Sequence, residues 1–195
     1  VPFIDNYYRI SEIKLAQSLA TKISKKYSGR LNYFSSLKTG FQYEMGEEIV
    51  TEIERYRTLM EAILVNKDKV ILESEIDRFI ESSKPFIFLY GEYDYYTSLL
   101  DIVDGYYLID SNKKAEKIGN KILDVYKKRL NVFINLSPEN KVQYAEQIKN
   151  EILDFKYFVE IISSNEKGEF SDKIEKEYNL IIDEFKKWIF KYDLW

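Results

Sequence analysis

The residues best suited to metal or acid–base chemistry lie in the segment 86–110. This segment contains five carboxylates and no Lys or Arg. Asp101 and Asp104 stand three residues apart, which would place them on one face of a helix. Together with Glu92 or Asp94 they would offer oxygen ligands to a divalent cation, although the spacing of a calcium-binding loop is absent. We therefore keep a carboxylate- or metal-dependent enzyme as an alternative function, and we expect no cofactor.

The chain has 195 residues and contains neither cysteine nor histidine. Disulfides, thiolate nucleophiles, cysteine zinc sites and histidine-based catalytic triads are therefore excluded. The glycine-rich phosphate-binding loop, the dinucleotide fingerprint and the G-x-S-x-G elbow are also missing from the sequence. Any catalysis would have to use carboxylates, Lys, Ser, Thr or Tyr. A binding protein is thus favoured over an enzyme.

The segment 86–110 is also rich in tyrosine, and this composition predicts a recognition surface. Tyrosine supplies a large, rigid contact area at low entropic cost and is enriched at interface hot spots. The alternative is that these rings are half buried with their hydroxyls in water. The predicted partner-binding residues are Tyr90, Tyr93, Tyr95, Tyr96, Tyr106, Tyr107 and Asp94. We therefore predict a noncatalytic helical module, of adaptor or inhibitor type, whose carboxylates attract a basic protein partner.

The next segment, 111–135, reverses the charge, with seven basic residues against two acidic ones. Such a basic helix is suited to contact a phosphate backbone. The candidate residues are Lys113, Lys114, Lys117, Lys121 and Lys128. Against this interpretation stand the net charge of -4 of the whole chain and its few arginines. Nucleic acid is therefore a less favoured partner than protein.

Apolar residues recur every three or four positions over most of the chain, so helices are expected to position these side chains. Residues 31–45 lack this period and are compatible with a loop, a short helix or a hairpin. Gly29 is expected to end the first helix, and Ser74 is the expected N-cap of the third, which must stop before Pro85. The predicted N-terminal helices cover about 9–27, 47–66 and 75–82.

Three long helices are predicted for residues 111–195, with Ser111, Ser137 and Ser171 as N-caps and Pro138 at a first helical position. Two of these helices carry a heptad seam, which favours near-antiparallel packing. The seam residues are Ala145, Ile148, Ile152, Phe155, Val159 and Ile162, followed by Ile174, Tyr178, Ile181, Phe185, Trp188 and Tyr192. We therefore predict a mainly α, antiparallel helical bundle that forms one domain over residues 1–195, because no linker-like stretch divides the chain.

Two β-prone runs, at 86–90 and 105–109, interrupt the helical pattern. Because runs this short fit a buried strand as well as a buried helix, we expect either a small β-hairpin or an irregular insertion around 86–110. No apolar run reaches the length of a membrane span, and residues 1–4 show no signal pattern. We therefore expect a cytoplasmic protein with no membrane insertion. Its long amphipathic helices are also compatible with a homodimer.

Overall fold

The computed structural model describes residues 2–192, and the side chains of residues 3–187. This part of the chain is mainly helical and contains no β-strand, which confirms the predicted fold class. A short 3₁₀ turn lies at Lys84–Phe86. The α-helices are α1 (Pro2–Arg9), α2 (Ile13–Ser36), α3 (Thr39–Glu44), α4 (Gly46–Val65), α5 (Lys69–Ser83), α6 (Ile87–Tyr90), α7 (Glu92–Thr97), α8 (Leu100–Leu108), α9 (Asn112–Ile134), α10 (Pro138–Gln143), α11 (Ala145–Asn165) and α12 (Glu169–Tyr192).

Contacts between Cα atoms divide the chain into two compact units. The first comprises Val1–Tyr95 with Leu108–Ser111, and the second comprises Tyr96–Tyr107 with Asn112–Trp195. The expectation of a single cooperative domain concerns how the chain unfolds, and it stays a prediction. Calorimetry tests it, because a single cooperative unit gives equal calorimetric and van't Hoff enthalpies.

The first unit is built around α2, α4 and α5, which pack against one another, with α1 packed on α2. Helix α4 matches the predicted helix 47–66 to within one residue at each end. Its predicted apolar stripe is buried. The buried stripe consists of Ile49, Ile53, Tyr56, Met60 and Ile63. Full burial of a large apolar side chain stabilises a fold by about 1.5–3 kcal/mol, so this stripe holds α4 in the centre of the unit.

Helix α2 is longer than predicted, because Gly29 does not end it. The helix continues to Ser36, and Leu31 and Phe34 of its last turns are buried. A glycine inside a helix costs about 1 kcal/mol relative to alanine. The burial of two large side chains beyond it outweighs that cost.

Helix α5 begins earlier than predicted, at Lys69, because Asp68 and not Ser74 is its N-cap. The Asp68 carboxylate accepts a hydrogen bond of 3.1 Å from the backbone N–H of Val70. The prediction that this helix ends before Pro85 is confirmed, since α5 stops at Ser83.

Residues 86–110 are helical, so the expected β-hairpin or irregular insertion is wrong. The buried side chains after residue 98 recur at intervals of three and four residues. This spacing is typical of a helix and not of a strand, in which buried residues alternate with exposed ones. They are Leu99, Ile102, Val103, Tyr106 and Tyr107. Helix α6 ends at Gly91, whose φ of 82° is readily adopted by glycine.

The second unit contains the three long C-terminal helices that were predicted, α9, α11 and α12, which pack on one another. The ring of Phe155 on α11 stacks on Tyr126 of α9 with centroids 4.9 Å apart, and it meets Tyr178 of α12 edge to face at 5.3 Å. The buried members of the predicted seams are Ile148, Ile152, Phe155, Ile162, Ile174, Ile181 and Phe185. The side chains of Trp188 and Tyr192 lie outside the described residues.

The predicted caps of these helices have different outcomes. Ser137 accepts a hydrogen bond from the N–H of Asn140, as expected, but it caps the short helix α10. Ser171 lies inside α12, two residues after its start, so its predicted capping role is wrong. Ser111 directly precedes α9, and its hydroxyl donates to Glu73 at 3.1 Å.

Candidate protein-contact surface

Three of the six tyrosines predicted to bind a partner are interior residues. Tyr95 is 2% exposed, Tyr106 is 2% exposed and Tyr107 is 6% exposed. The hydroxyl of Tyr95 shares a hydrogen bond of 3.0 Å with Ser83, and that of Tyr107 donates to Glu166 at 2.7 Å. Tyr106 and Tyr107 fill the inward stripe of α8, and Tyr95 is the buried residue of α7. These rings therefore pack the core.

The other predicted contact residues lie wholly or partly at the surface. Tyr90, Tyr93 and Tyr96 are half-buried, and Asp94 is exposed. The hydroxyl of Tyr90 donates to Glu54 on α4 at 2.8 Å. Burial, followed by this hydrogen bond to a carboxylate, raises the pKa of Tyr90 well above its ordinary value. Tyr90 thus anchors α6 to α4, and a role in binding a partner stays a prediction for all four residues.

An exposed group of aromatic side chains, not anticipated from the sequence, lies in the first unit. The rings of Tyr43 on α3 and Phe88 on α6 meet edge to face with centroids 5.1 Å apart. Tyr43 is 62% exposed and Phe88 is 40% exposed, while Phe41, also on α3, is 56% exposed. We call Tyr43 and Phe88 the aromatic patch; Phe41, two residues from Tyr43, lies on another side of α3 and is not part of it. Large exposed apolar groups of this kind mark interaction sites when they cluster.

Helix α3 is held in place by one glutamine side chain. The Nε2 group of Gln42 donates to the backbone carbonyls of Phe34, Ser35 and Leu37, at 3.3, 3.1 and 2.9 Å. Phe34 and Ser35 belong to the last turn of α2 and Leu37 directly follows it, where helix geometry leaves C=O groups without intrahelical partners. Gln42 therefore ties α3, and with it Tyr43, to the C-terminus of α2.

Helix α6 is held against α4 by separate contacts. Leu89 packs so closely over Gly46, the first residue of α4, that a Cβ atom there would lie 3.4 Å from the leucine methyl group. Tyr90 adds its hydrogen bond to Glu54, about two turns further along α4. Phe88 is therefore carried by an element that is fixed independently of α3.

The chain segments that carry the aromatic patch are acidic. Residues 39–48 contain three glutamates, and residues 86–96 contain Glu92 and Asp94, and neither segment contains Lys or Arg. Glu48 pairs with Arg30 at 2.9 Å. Glu44 and Glu47 are exposed and form no ion pair with a described residue. The surroundings of the patch thus favour a positively charged partner.

A separate cluster of polar side chains is buried between α2, α4 and α5. The hydroxyl oxygens of Ser24 and Tyr56 lie 2.5 Å apart, and Arg78 donates to Ser24 at 3.2 Å and pairs with Glu75. Burial raises the pKa of Tyr56 to about 12. Because these groups satisfy one another inside the core, we interpret the cluster as a device that fixes helix packing.

The candidate metal ligands Asp101 and Asp104 both lie on α8 and are exposed. Asp104 accepts a hydrogen bond of 2.8 Å from the side-chain amide of Asn165. Within the described part of the chain, no group of three or more carboxylates is arranged to hold a metal ion. The structure therefore adds no ligand to this pair.

The candidate lysines for a nucleic-acid contact all lie on α9. Lys113, Lys117, Lys121 and Lys128 are exposed. Lys114 differs from them, because it is half-buried and its ammonium group lies 5.7 Å from the centroid of the Tyr106 ring. Lys113, Lys117 and Lys121 therefore present their ammonium groups at the surface, whereas Lys114 contributes to packing.

No protein-family model, curated protein or solved structure matches this chain. Among the helices that the structure describes, none has both the length and the apolar character needed to cross a membrane. The function must therefore be inferred from the chain's own surfaces.

Proposed function

We propose that this protein is a noncatalytic helical module that binds another protein through the aromatic patch, and that the bound segment of the partner is basic. The observation that carries this proposal is the exposed pair of Tyr43 and Phe88, whose rings pack on each other at the surface. Tyrosine and phenylalanine are enriched in interfaces, and tyrosine in particular forms energetic hot spots.

The geometry of the pair supports binding because the rings are already in place. Tyr43 is fixed through its neighbour Gln42, and Phe88 through its neighbours Leu89 and Tyr90. A partner that covers these rings removes apolar surface from water without first having to order the helices that carry them. Such preorganisation increases affinity for a given contact area.

The charge around the patch supports the basic character of the partner. Exposed Glu44 and Glu47 flank the patch along the chain, and Asp94 follows in α7. Carboxylates at the rim of an interface mainly raise the association rate with a cationic partner, and salt weakens this effect. We therefore expect Lys or Arg beside an apolar or aromatic residue in the bound segment.

The experiment is selection of a displayed random-peptide library on the intact protein, with a counter-screen against the double variant Tyr43→Ser/Phe88→Ser. The matched control is Tyr33→Ser, because Tyr33 is also exposed but lies on α2. We expect basic peptides that bind the wild type and the control but not the double variant. Peptides that bind the double variant equally well would refute the proposal.

A second copy of the chain is the alternative occupant of the patch. Sedimentation equilibrium of the isolated protein distinguishes the two, because a dimer lost in the Tyr43→Ser/Phe88→Ser variant would assign the patch to self-association. A cytoplasmic location and the absence of catalysis stay predictions alongside this function.

A further inference from the structure

The second unit carries a row of exposed lysines along α9. Lys113, Lys117 and Lys121 follow one another at intervals of four residues, so they lie on one side of the helix. None of the three forms an ion pair with any side chain that the structure describes, and all are exposed. With a rise of about 1.5 Å per residue, they span about 12 Å along the helix.

Helix α12 adds a second row beside the first. The ammonium group of Lys173 donates to the side-chain oxygen of Asn120 on α9 at 2.6 Å, which places it next to the lysines of α9. Lys176 follows one turn later and is exposed. Because Asn120 is neutral, this hydrogen bond does not itself neutralise the charge of Lys173. We call Lys113, Lys117, Lys121, Lys173 and Lys176 the basic stripe.

The acidic residues near the basic stripe compensate only part of its charge. Glu177 is engaged by Lys127, with the ammonium nitrogen and the carboxylate oxygen 2.8 Å apart. Asp124 is the exposed carboxylate that shares the side of α9 on which the lysines lie. On α12 the exposed Glu169 and Asp172 stand four residues before Lys173 and Lys176. Five cations against these two carboxylates and Asp124 leave a locally positive field, although the whole chain has a net charge of -4.

We propose that the basic stripe binds the phosphate backbone of double-stranded nucleic acid, without sequence preference. Two rows of ammonium groups on neighbouring helices suit the two phosphate strands that border a groove, and the length of the α9 row covers about three to four base pairs. Lysine acts as a point charge toward phosphate and lacks the planar, bidentate geometry with which arginine reads bases. This inference is independent of the proposed function, because it uses residues of the other unit.

The surroundings of the stripe favour a duplex over an anionic membrane. A helix that lies on a membrane inserts an apolar face among the lipids. The apolar face of α9 is already buried in the unit, and its members are Ala115, Ile122, Leu123, Val125, Tyr126, Leu130 and Phe133. The lysines therefore have no apolar stripe of their own helix to insert.

The surroundings also favour a duplex over a single strand. Proteins that hold single strands stack the bases on aromatic side chains. On α9 and on the described side chains of α12, no aromatic residue is exposed. The basic stripe can therefore neutralise phosphates but offers no stacking platform.

The test is fluorescence anisotropy of a labelled DNA duplex of random sequence, titrated with the full chain at several salt concentrations. The test variant is Lys113→Gln/Lys117→Gln/Lys121→Gln. The matched control removes three exposed lysines from α2, in the variant Lys22→Gln/Lys25→Gln/Lys26→Gln, which has the same net charge. A single strand of equal length and vesicles with anionic headgroups serve as competing ligands.

If five lysines contact phosphates, the wild-type affinity falls about 500-fold between about 50 mM and about 200 mM salt, which corresponds to a logarithmic slope near -4.5. The slope of the test variant is then near -1.8, while the control keeps that of the wild type. The absence of duplex binding at about 50 mM salt, or an equal loss in both variants, would overturn the proposal. Preferential binding to vesicles or to the single strand would also overturn it.

Discussion

The ring of Tyr43 meets the ring of Phe88 edge to face at 5.1 Å, and both rings remain exposed to solvent. The two residues belong to different short helices, which are attached to the rest of the first unit by different contacts. Gln42 ties α3 to α2, and Tyr90 ties α6 to α4. An aromatic pair of this geometry contributes about 0.5–1.5 kcal/mol beyond the area that it buries. The pair is thus a small, prearranged apolar surface in an acidic setting.

The first prediction separates surface tyrosines from core tyrosines by the same substitution at two positions. Tyr43→Ser should change the free energy of unfolding by less than about 1 kcal/mol, because the side chain is exposed. Tyr95→Ser should cost about 3–5 kcal/mol, because a large ring leaves a buried site. Denaturant unfolding measures both. Equal losses would show that Tyr43 belongs to the core and would remove it from the contact surface.

The second prediction concerns the buried hydrogen bond between Ser24 and Tyr56, whose oxygens lie 2.5 Å apart. Ser24→Ala or Tyr56→Phe alone should cost about 1–3 kcal/mol, since each leaves a buried hydroxyl or guanidinium group without its partner. The double variant should cost less than the sum, because the two oxygens share one bond. A double-mutant cycle by urea unfolding measures the coupling. Strict additivity would mean that the two hydroxyls do not interact.

The third prediction compares two glycines inside long helices. A Cβ atom at Gly119 would lie 2.9 Å from the ring of Phe170, whereas one at Gly29 would meet nothing within 4 Å. Gly29→Ala should raise the free energy of unfolding by about 0.4–1 kcal/mol, because alanine restricts the unfolded chain. Gly119→Ala should lower it, since overpacking costs about 1–3 kcal/mol. Thermal unfolding of both variants is the measurement, and stabilisation by Gly119→Ala would contradict the packing described for α9.

The fourth prediction concerns alkaline pH. The hydroxyls of Tyr8, Tyr90 and Tyr107 donate to Asp68, Glu54 and Glu166 at 2.6, 2.8 and 2.7 Å. Burial and these carboxylates raise the pKa of each phenol above the ordinary value of 10.0. The folded protein therefore keeps protons that the unfolded chain loses, and stability should fall as pH rises above about 10.

Tyr90→Phe should make this alkaline decline less steep, because it removes one of the retained protons. The measurement is the free energy of unfolding as a function of pH, combined with ultraviolet titration of tyrosinate. If all 17 tyrosines of the folded protein ionised with the ordinary phenol pKa of about 10, that result would contradict the buried hydrogen bonds.

The sequence predicts the long helices well because each carries an apolar stripe that the fold buries. The seam of α11 and the stripe of α4 are examples, with Phe155 and Tyr56 at their centres. The same period was present in α8, where Ile102, Val103 and Tyr106 are buried. There the consecutive aromatic and β-branched residues resembled strands, and the helical spacing was the better guide.

The candidate site could be predicted only in part. A tyrosine-rich, acidic segment is visible in the sequence, but which of its rings point inward depends on the packing of α7 and α8. The approach of Tyr43 to Phe88 is a tertiary contact between short helices that show no long period of their own. The only sequence signal for Tyr43 is the cluster of aromatic and acidic residues around it, from Phe41 to Glu48.

The central claim is that Tyr43 and Phe88 contact a basic protein partner, and the most direct measurement is calorimetric titration of a selected basic peptide. The dissociation constant should rise at least about 30-fold for Tyr43→Ser/Phe88→Ser, because the loss of a hot spot costs about 2 kcal/mol or more. It should stay within about twofold for Tyr33→Ser, and added salt should weaken wild-type binding. A double variant that stays folded and binds the peptide as tightly as the wild type would contradict the claim.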